Sequence, residues 1–272
     1  MHGLINIGNT CFMNAALQML FSNEDIRKIA KNNEEIAIII NAYNNASQYN
    51  PIKMKNIIAC YNNIFKGLTQ QDSFEFIVYF FEALIQDNKY IQTMVYQKFG
   101  TVTSISVKCK QCNYVSKHNE NDLFLNLPMP MNESNDLNTI YRNYKEPELL
   151  HGNNMYKCDK CNKYVDAVKK IITSEWKNNL IIILKRFNNK MKKNNSKISI
   201  PLQWRHDYEL QGGIIHMGNY NGGHYIYYGR ERNAWYLAND SSISNIDDIG
   251  QFMQTTGLDS YIVIYIKKTS TL

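Results

Sequence analysis

The sequence predicts an α+β protein whose helices and strands are segregated along the chain. Three observations predict it. Between residues 10 and 87 the apolar side chains recur at helical spacing. After Lys98 the pattern turns to alternation and short apolar runs, and strands dominate from Asp166 onward. Two Cys-x-x-Cys pairs, Cys109-Lys110-Gln111-Cys112 and Cys158-Asp159-Lys160-Cys161, lie between these regions. At 272 residues and 44% hydrophobic content the chain can bury a substantial core. It contains no internal repeat.

The first helix follows the turn Gly8-Asn9-Thr10 and begins at Cys11, with Met13, Ala16, Leu17 and Leu20 at helical offsets. Thr10 reads as its N-cap. A sulfur at that end meets the positive end of the helix dipole and unpaired N–H groups, which favour thiolate over thiol. The competing reading makes Cys11 a small apolar core residue. Glu34 to Ala46 reads as a second helix with Ile36, Ile39, Ile40 and Tyr43 on one face. Pro51 punctuates, and Met54 to Phe65 reads as a third, presenting Ile57, Ile58, Tyr61, Ile64 and Phe65. Cys60 falls beside Ile57 and Ile64 and reads as a core cysteine. Thr69 to Asp87 opens on the cap-like Thr69-Gln70-Gln71-Asp72 and carries a stripe of Phe74, Ile77, Val78, Phe81 and Leu84. Asp72 and Glu75 are placed on one face at that helix start. Read from the residues alone, they compensate the helix dipole in a first turn.

Phe99 to Val107 alternates as a strand and runs into the first cysteine pair. Asp122 to Pro130 reads as a strand ending in turn chemistry, and Asn135 to Tyr144 as a short helix. Ala167–Ile172, Asn179–Phe187, Lys197–Ile200, Tyr208–His216 and Ser260–Lys267 read as strands. No secretory signal or membrane-length apolar run is visible, so the six cysteines are expected to be reduced in an intracellular setting. There, paired cysteines read as metal ligands before disulfides. Four thiolates from Cys109, Cys112, Cys158 and Cys161 suit one tetrahedral zinc. The net charge of +6 does not by itself call for nucleic acid. The densest basic stretch, Lys185-Arg186 through Lys190, Lys192, Lys193 and Lys197, reads as a solvated hairpin loop.

The far end of the chain supplies partners for Cys11. Gly222-Gly223-His224-Tyr225 is followed by Trp235-Tyr236-Leu237-Ala238-Asn239-Asp240. A cysteine near the N-terminus, then His, then Asn or Asp is the order expected of papain-like hydrolases.

Four motifs then make a specific resemblance. Gly3 to Leu20 (GLINIGNTCFMNAALQML) resembles the cysteine box of the ubiquitin-specific protease family, and GGHYIYYGR with WYLANDSSI resembles its histidine box. Gln70-Gln71-Asp72 is similar to its QQD box, and Leu184-Lys185-Arg186-Phe187 to its LKRF strand. They occur in the family's order and cover the chain from end to end.

The resemblance implies a papain-like fold with a helical thumb, an antiparallel β palm and zinc-tipped β fingers. It implies one catalytic domain over residues 1–272, divided near 1–97, 98–178 and 179–272. The implied activity is thiol-dependent hydrolysis after the C-terminal glycine of ubiquitin, through a thioester. Cys11 is then the nucleophile, His224 the general base and acid, and Asn239 the group orienting the imidazole, with Asp240 as the alternative orienter. Asn6 matches the oxyanion-hole asparagine, and the backbone N–H of Cys11 is a second donor. Asp72 and Glu75 match carboxylates that meet the arginines of the ubiquitin tail. Gly223 allows a close-fitting channel for that tail, which Tyr225 and Trp235 wall or pack beneath. His216 matches a structural position. One structural zinc is implied and no catalytic cofactor.

The implied partners are ubiquitin and ubiquitinated proteins, with neither nucleic acid nor membrane, and a monomer in the cytoplasm or nucleus. Three alternatives stand beside this reading: a ubiquitin reader without turnover, a protease for another ubiquitin-like modifier, and a zinc-dependent nucleic-acid module.

Overall fold

A computed structural model describes residues 1–130, 135–187, 192–220 and 222–268. Six helices precede the first long strand: α1 (Cys11–Ser22), α2 (Glu24–Ala30), α3 (Glu34–Asn44), α4 (Ile52–Tyr61), α5 (Ser73–Ile85) and α6 (Lys89–Lys98). The long strands follow as β1 (Thr101–Cys109), β2 (Val115–Asp122), β3 (Phe124–Pro128), β4 (Glu148–Leu150), β5 (Ala167–Trp176), β6 (Asn179–Lys185), β7 (Tyr208–Asn219), β8 (Gly222–Glu231), β9 (Ala234–Asn239), β10 (Ser242–Ile246) and β11 (Ser260–Lys267). Helices α7 (Leu137–Lys145) and α8 (Ile249–Gln254) lie among them.

The large sheet runs in the order β10-β9-β8-β7-β11-β6-β3, with Gln203–Trp204 pairing on β7. It is antiparallel except for the β6–β3 pair. Strand β6 is an unbroken apolar run, as expected of a strand covered on both faces. Ile181 and Ile183 face the helical core that contains α1 and α5. Leu180, Ile182 and Leu184 face a second core, closed by α7, Trp204 and Met253 of α8. A separate sheet in the order β2-β1-β5-β4 carries the cysteine pairs at one end.

Helix α1 is buried on every side, because it lies between the other helices and strand β8. The predicted faces of α3 are buried as read. Other expectations need correction. The helix expected over Met54 to Phe65 stops at Tyr61. Asn62 is extended and its side chain caps a following 3-10 turn by accepting from Ile64 N–H. Tyr61 and Ile64 are therefore exposed, and so is Cys60, which is not a core residue. In α5 the cap is Asp72, and the buried face centres on Phe76, Ile77, Phe80, Phe81 and Leu84, with Phe74 and Val78 at its margin.

The basic stretch is only partly the solvated loop expected: Lys185, Lys192 and Lys197 are exposed, whereas Arg186 is buried and Lys193 half-buried. Arg186 is 1% exposed and donates to the carbonyls of Ser260, Asn194, Ser196 and Leu258. Lys193 Nζ donates to His216 O at 2.6 Å, and Lys197 pairs with Asp259 at 2.5 Å. Lys190 lies outside the described residues.

Candidate active site

The turn before α1 is built by side chains. Asn6 Oδ1 accepts from the backbone N–H groups of Gly8 at 3.1 Å and Thr10 at 3.2 Å. Asn9 takes a left-handed conformation, φ 52°. Thr10 Oγ1 accepts from Ile7 N–H at 3.0 Å, so the hydroxyl closes the turn from behind. Thr10 stands at the N-cap position but makes no capping bond, which corrects the expected cap.

Cys11 opens the helix and is 3% exposed. Burial pushes its thiol above the ordinary range. The backbone N–H of Tyr225, the amide of Gln70 and the backbone N–H of Phe12 pull the other way. The dipole argument alone predicts a thiolate, but desolvation outweighs it in this arrangement.

The sulfur's contact with Tyr225 places it against strand β8, one residue beyond His224. Strand pairing delivers the third group. Tyr227 lies opposite Ala238, so the next row brings Asn239 level with Ile226, on the same face as His224. His224 Nε2 and Asn239 Oδ1 are 2.6 Å apart. Asp240 does not touch the imidazole. Its Oδ1 accepts from Asn14 Nδ2 at 2.7 Å and its Oδ2 from Asn6 Nδ2 at 2.9 Å. Its backbone carbonyl also accepts from Leu4 N–H at 2.9 Å. A side chain at Gly3 would collide with Ser241, so only glycine lets the N-terminal segment lie this close to that turn.

Beside the sulfur lies a groove of about 440 Å³, lined in part by Gln70, Asp72, Glu75, Tyr225 and Tyr261. Asp72 caps α5 by accepting from the N–H groups of Phe74 and Glu75. The carboxylate also accepts from Tyr261 Oη at 3.0 Å and lies 3.5 Å from Tyr225 Oη. No cation pairs with it among the described residues, and burial raises its pKa. Burial and the neighbouring Asp72 raise that of Glu75 as well. Together they form an acidic, partly desolvated recess suited to a cationic side chain.

Gly223 adjoins this groove, its main-chain groups bonded to Gln70 in the lining. A side chain there would collide with Met217 O and the His216 ring, so the β7–β8 hairpin requires glycine. His216 is 2% exposed, and burial followed by the charge of Lys193 pushes its pKa down to about 4. It stays neutral and packs 4.4 Å from the Tyr225 ring. Trp235 sits four residues from Asn239 along β9 and packs on Tyr228 in the second core. Of the two placements expected for it, in the wall or packed beneath, Trp235 does not take the wall.

Three groups that touch the site were assigned no role from sequence. Gln70 bridges Cys11 and Gly223, Asn14 anchors Asp240, and Tyr261 holds Asp72. Gln70 was visible as part of the Gln-Gln-Asp motif. Tyr261 sits in an apolar strand that offers no signal.

The four paired cysteines converge at the tip of the smaller sheet. Their sulfurs all lie within 4.8 Å of one another. Cys109 and Cys161 are 3.9 Å apart, Cys112 and Cys158 3.7 Å. Ligands about 2.3 Å from a tetrahedral ion stand about 3.8 Å from each other, so the spacing fits a metal. Each pair forms a tight turn closed by a left-handed asparagine, Asn113 and Asn162. The N–H groups of Cys112 and Gln111 point at Cys109 Sγ and pull that thiol down to about 7. This is the donor set of a thiolate ligand.

Comparison with known proteins gives a consistent result. A family model described as ubiquitin carboxyl-terminal hydrolase matches residues 2–265. Human ubiquitin carboxyl-terminal hydrolase 42 is 29% identical over 97% of this chain and 23% of its own length. Ubiquitin carboxyl-terminal hydrolase 16 of Arabidopsis thaliana is 27% identical over 99% of this chain and 31% of its own. The chain thus spans less than a third of either relative. Among solved structures, a chain of the SAGA Ubp8/Sgf11/Sus1/Sgf73 DUB module bound to ubiquitin aldehyde superposes with a TM-score of 0.83. It has 22% identity, and the match covers 99% of this chain and 70% of that one. The likeness shows a shared fold.

Proposed function

The chain belongs to the ubiquitin carboxyl-terminal hydrolase family, and from that premise we propose that it is a thiol deubiquitinase. It hydrolyses the isopeptide or peptide bond after the C-terminal glycine of ubiquitin. The observation that carries this reading is the site itself: a buried cysteine at a helix start, against the strand that bears a histidine held by an asparagine at 2.6 Å.

In the proposed mechanism His224 Nε2–H donates to Asn239 Oδ1, which leaves Nδ1 to take the Cys11 proton. The sulfur attacks the glycine carbonyl. The backbone N–H of Cys11 and the second hydrogen of Asn6 Nδ2 face the resulting oxyanion, while Asp240 holds the first. His224 returns the proton to the leaving lysine amine. Water then cleaves the thioester with His224 as base. Asp72 and Glu75 receive basic side chains of the ubiquitin tail, Tyr225 lines its path, and Gly223 borders it beside Gln70.

Residues 1–272 act as one catalytic domain. Zinc is the ion that the cysteines at 109, 112, 158 and 161 would hold, where it would cross-link the tip of the smaller sheet. The reduced thiols such a site requires suit an intracellular setting, cytoplasmic or nuclear.

The test is release of a fluorophore from the C-terminus of ubiquitin. The wild type is expected to turn over, and Cys11→Ala to be inactive with an unchanged melting curve. Turnover of a parallel substrate built on another ubiquitin-like modifier, with none on ubiquitin, would reassign the substrate.

A further inference from the structure

Gln70 makes an unusual set of contacts. Its Oε1 accepts from the backbone N–H of Gly223 at 2.7 Å. Its Nε2 donates to the carbonyl of that same glycine at 2.5 Å and lies 3.1 Å from Cys11 Sγ. Gly223 thus has both main-chain groups paired with one side-chain amide. This is the pairing that one residue of a strand offers to an extended peptide laid alongside it. We propose that the carboxamide of Gln70 stands in for a peptide group of the substrate tail. It fills the subsite at Gly223, covers the sulfur, and must swing out before the tail can bind. The inference deepens the proposed function and rests on it for the identity of the tail.

Three further observations support the side chain, rather than its loop, as the moving part. The loop is tied down just before Gln70, at Gly67 and Leu68. Lys55 Nζ donates to Gly67 O at 2.7 Å, and Asn9 Nδ2 donates to Leu68 O at 2.8 Å. Asp72 is fixed as the cap of α5. Gln70 itself is only half-buried, so its amide can exchange these partners for water. Cys11, by contrast, is 3% exposed although its groove is open on the Asp72 side. With Gln70 Nε2 3.1 Å from it, the sulfur has that amide where an incoming peptide would lie. Gln70 is the neighbour whose contacts a peptide would reproduce.

The inference makes Gln70 both a gate and a marker of the substrate register. The Gly223 N–H and carbonyl pair with the substrate main chain, so this subsite reads backbone rather than side chain. The absence of a side chain at Gly223, forced by Met217 and His216, keeps that edge open.

The test compares wild type, Gln70→Ala and Gln70→Glu. Iodoacetamide labelling is followed on the Cys11 peptide, because exposed Cys60 also reacts. Labelling is measured across pH, so that access and ionisation separate. A gate predicts that Gln70→Ala raises the high-pH plateau about tenfold, the change expected when roughly one net hydrogen bond's worth of closure is lost. An unchanged plateau with the profile moved to higher pH would overturn it and make Gln70 a thiolate-supporting residue. Amide exchange at Gly223 gives a second readout: protected in the wild type and faster in Gln70→Ala, whereas the carboxylate of Gln70→Glu can still accept from that N–H. Equal exchange in the wild type and Gln70→Ala would also overturn it. Neither readout requires turnover of ubiquitin, so both decide the gate even if the deubiquitinase reading fails. On a ubiquitin substrate the gate further predicts a lower KM for Gln70→Ala.

Discussion

His224 Nε2 and Asn239 Oδ1 stand 2.6 Å apart at the open ends of adjacent strands, while the neighbouring Asp240 turns away to Asn6 and Asn14. Two consecutive polar residues therefore divide the work. Asn239 holds the His224 imidazole, and Asp240 fixes the turn that precedes Cys11. The left-handed backbone of Asp240, φ 50°, sends the two side chains apart.

This division predicts different phenotypes. Asn239→Ala should lower kcat on the order of 10²-fold or more, with KM and melting temperature little changed, because only the imidazole loses its partner. Asn239→Asp should retain activity. Steady-state kinetics on a ubiquitin fluorogenic substrate measure both.

Asp240→Ala should act on stability and activity together. It removes a carboxylate from the buried Asn14 amide and frees the Asn6 side chain. A cost of about 1–3 kcal/mol is expected for the loss of these charged hydrogen bonds, read from denaturant unfolding. A fall in kcat should accompany it, since Asn6 loses its anchor.

If Asp72 binds the tail as proposed, it does so at a cost in stability. Its carboxyl pKa is raised above the ordinary 3.8 by burial, so the folded state favours the protonated form. Its contribution to stability is full below about 3.8, the unfolded value, and is lost as pH rises through the raised folded value. Asp72→Asn should remove that loss while keeping a good cap. The variant is expected to melt at or above the wild-type temperature at pH 7, and to lose this advantage near pH 3. It should also show a raised KM for ubiquitin. Thermal melts at the two pH values and one kinetic comparison test all three points.

The cysteine cluster predicts one zinc per chain by elemental analysis of the pure protein. Cys158→Ser should lose it. Even 2–3 kcal/mol of lost metal stabilisation would lower the melting temperature by roughly 5–10 °C. Metal-free protein with unchanged stability would contradict the site.

Much of this was legible in the sequence because it rests on local rules. Helices α1, α3 and α5 follow from apolar period, and strands β6 and β11 from unbroken β-branched runs. Helix α6 was passed over because only Ile91 and Val95 are buried along it, which leaves a weak stripe. Helix α4 was drawn too long because the capping bond from Asn62 to Ile64 N–H outweighs an apolar pattern that continues past it. The four cysteines were readable because metal chemistry fixes their spacing. What Gln70 touches was not, since its partner Gly223 is 153 residues away and no local rule connects them. Sequence left the burial of Cys11 open between two readings, because it depends on strand β8 packing against α1.

The central claim is that Cys11 is the nucleophile of a ubiquitin-directed protease. Its most direct measurement is intact and peptide mass analysis after incubation with ubiquitin carrying a thiol-reactive group at its C-terminus. The account predicts one ubiquitin per chain, attached to Cys11, and no adduct with Cys11→Ala. An adduct on Cys60 or on the paired cysteines, or none at all on folded protein, would contradict it.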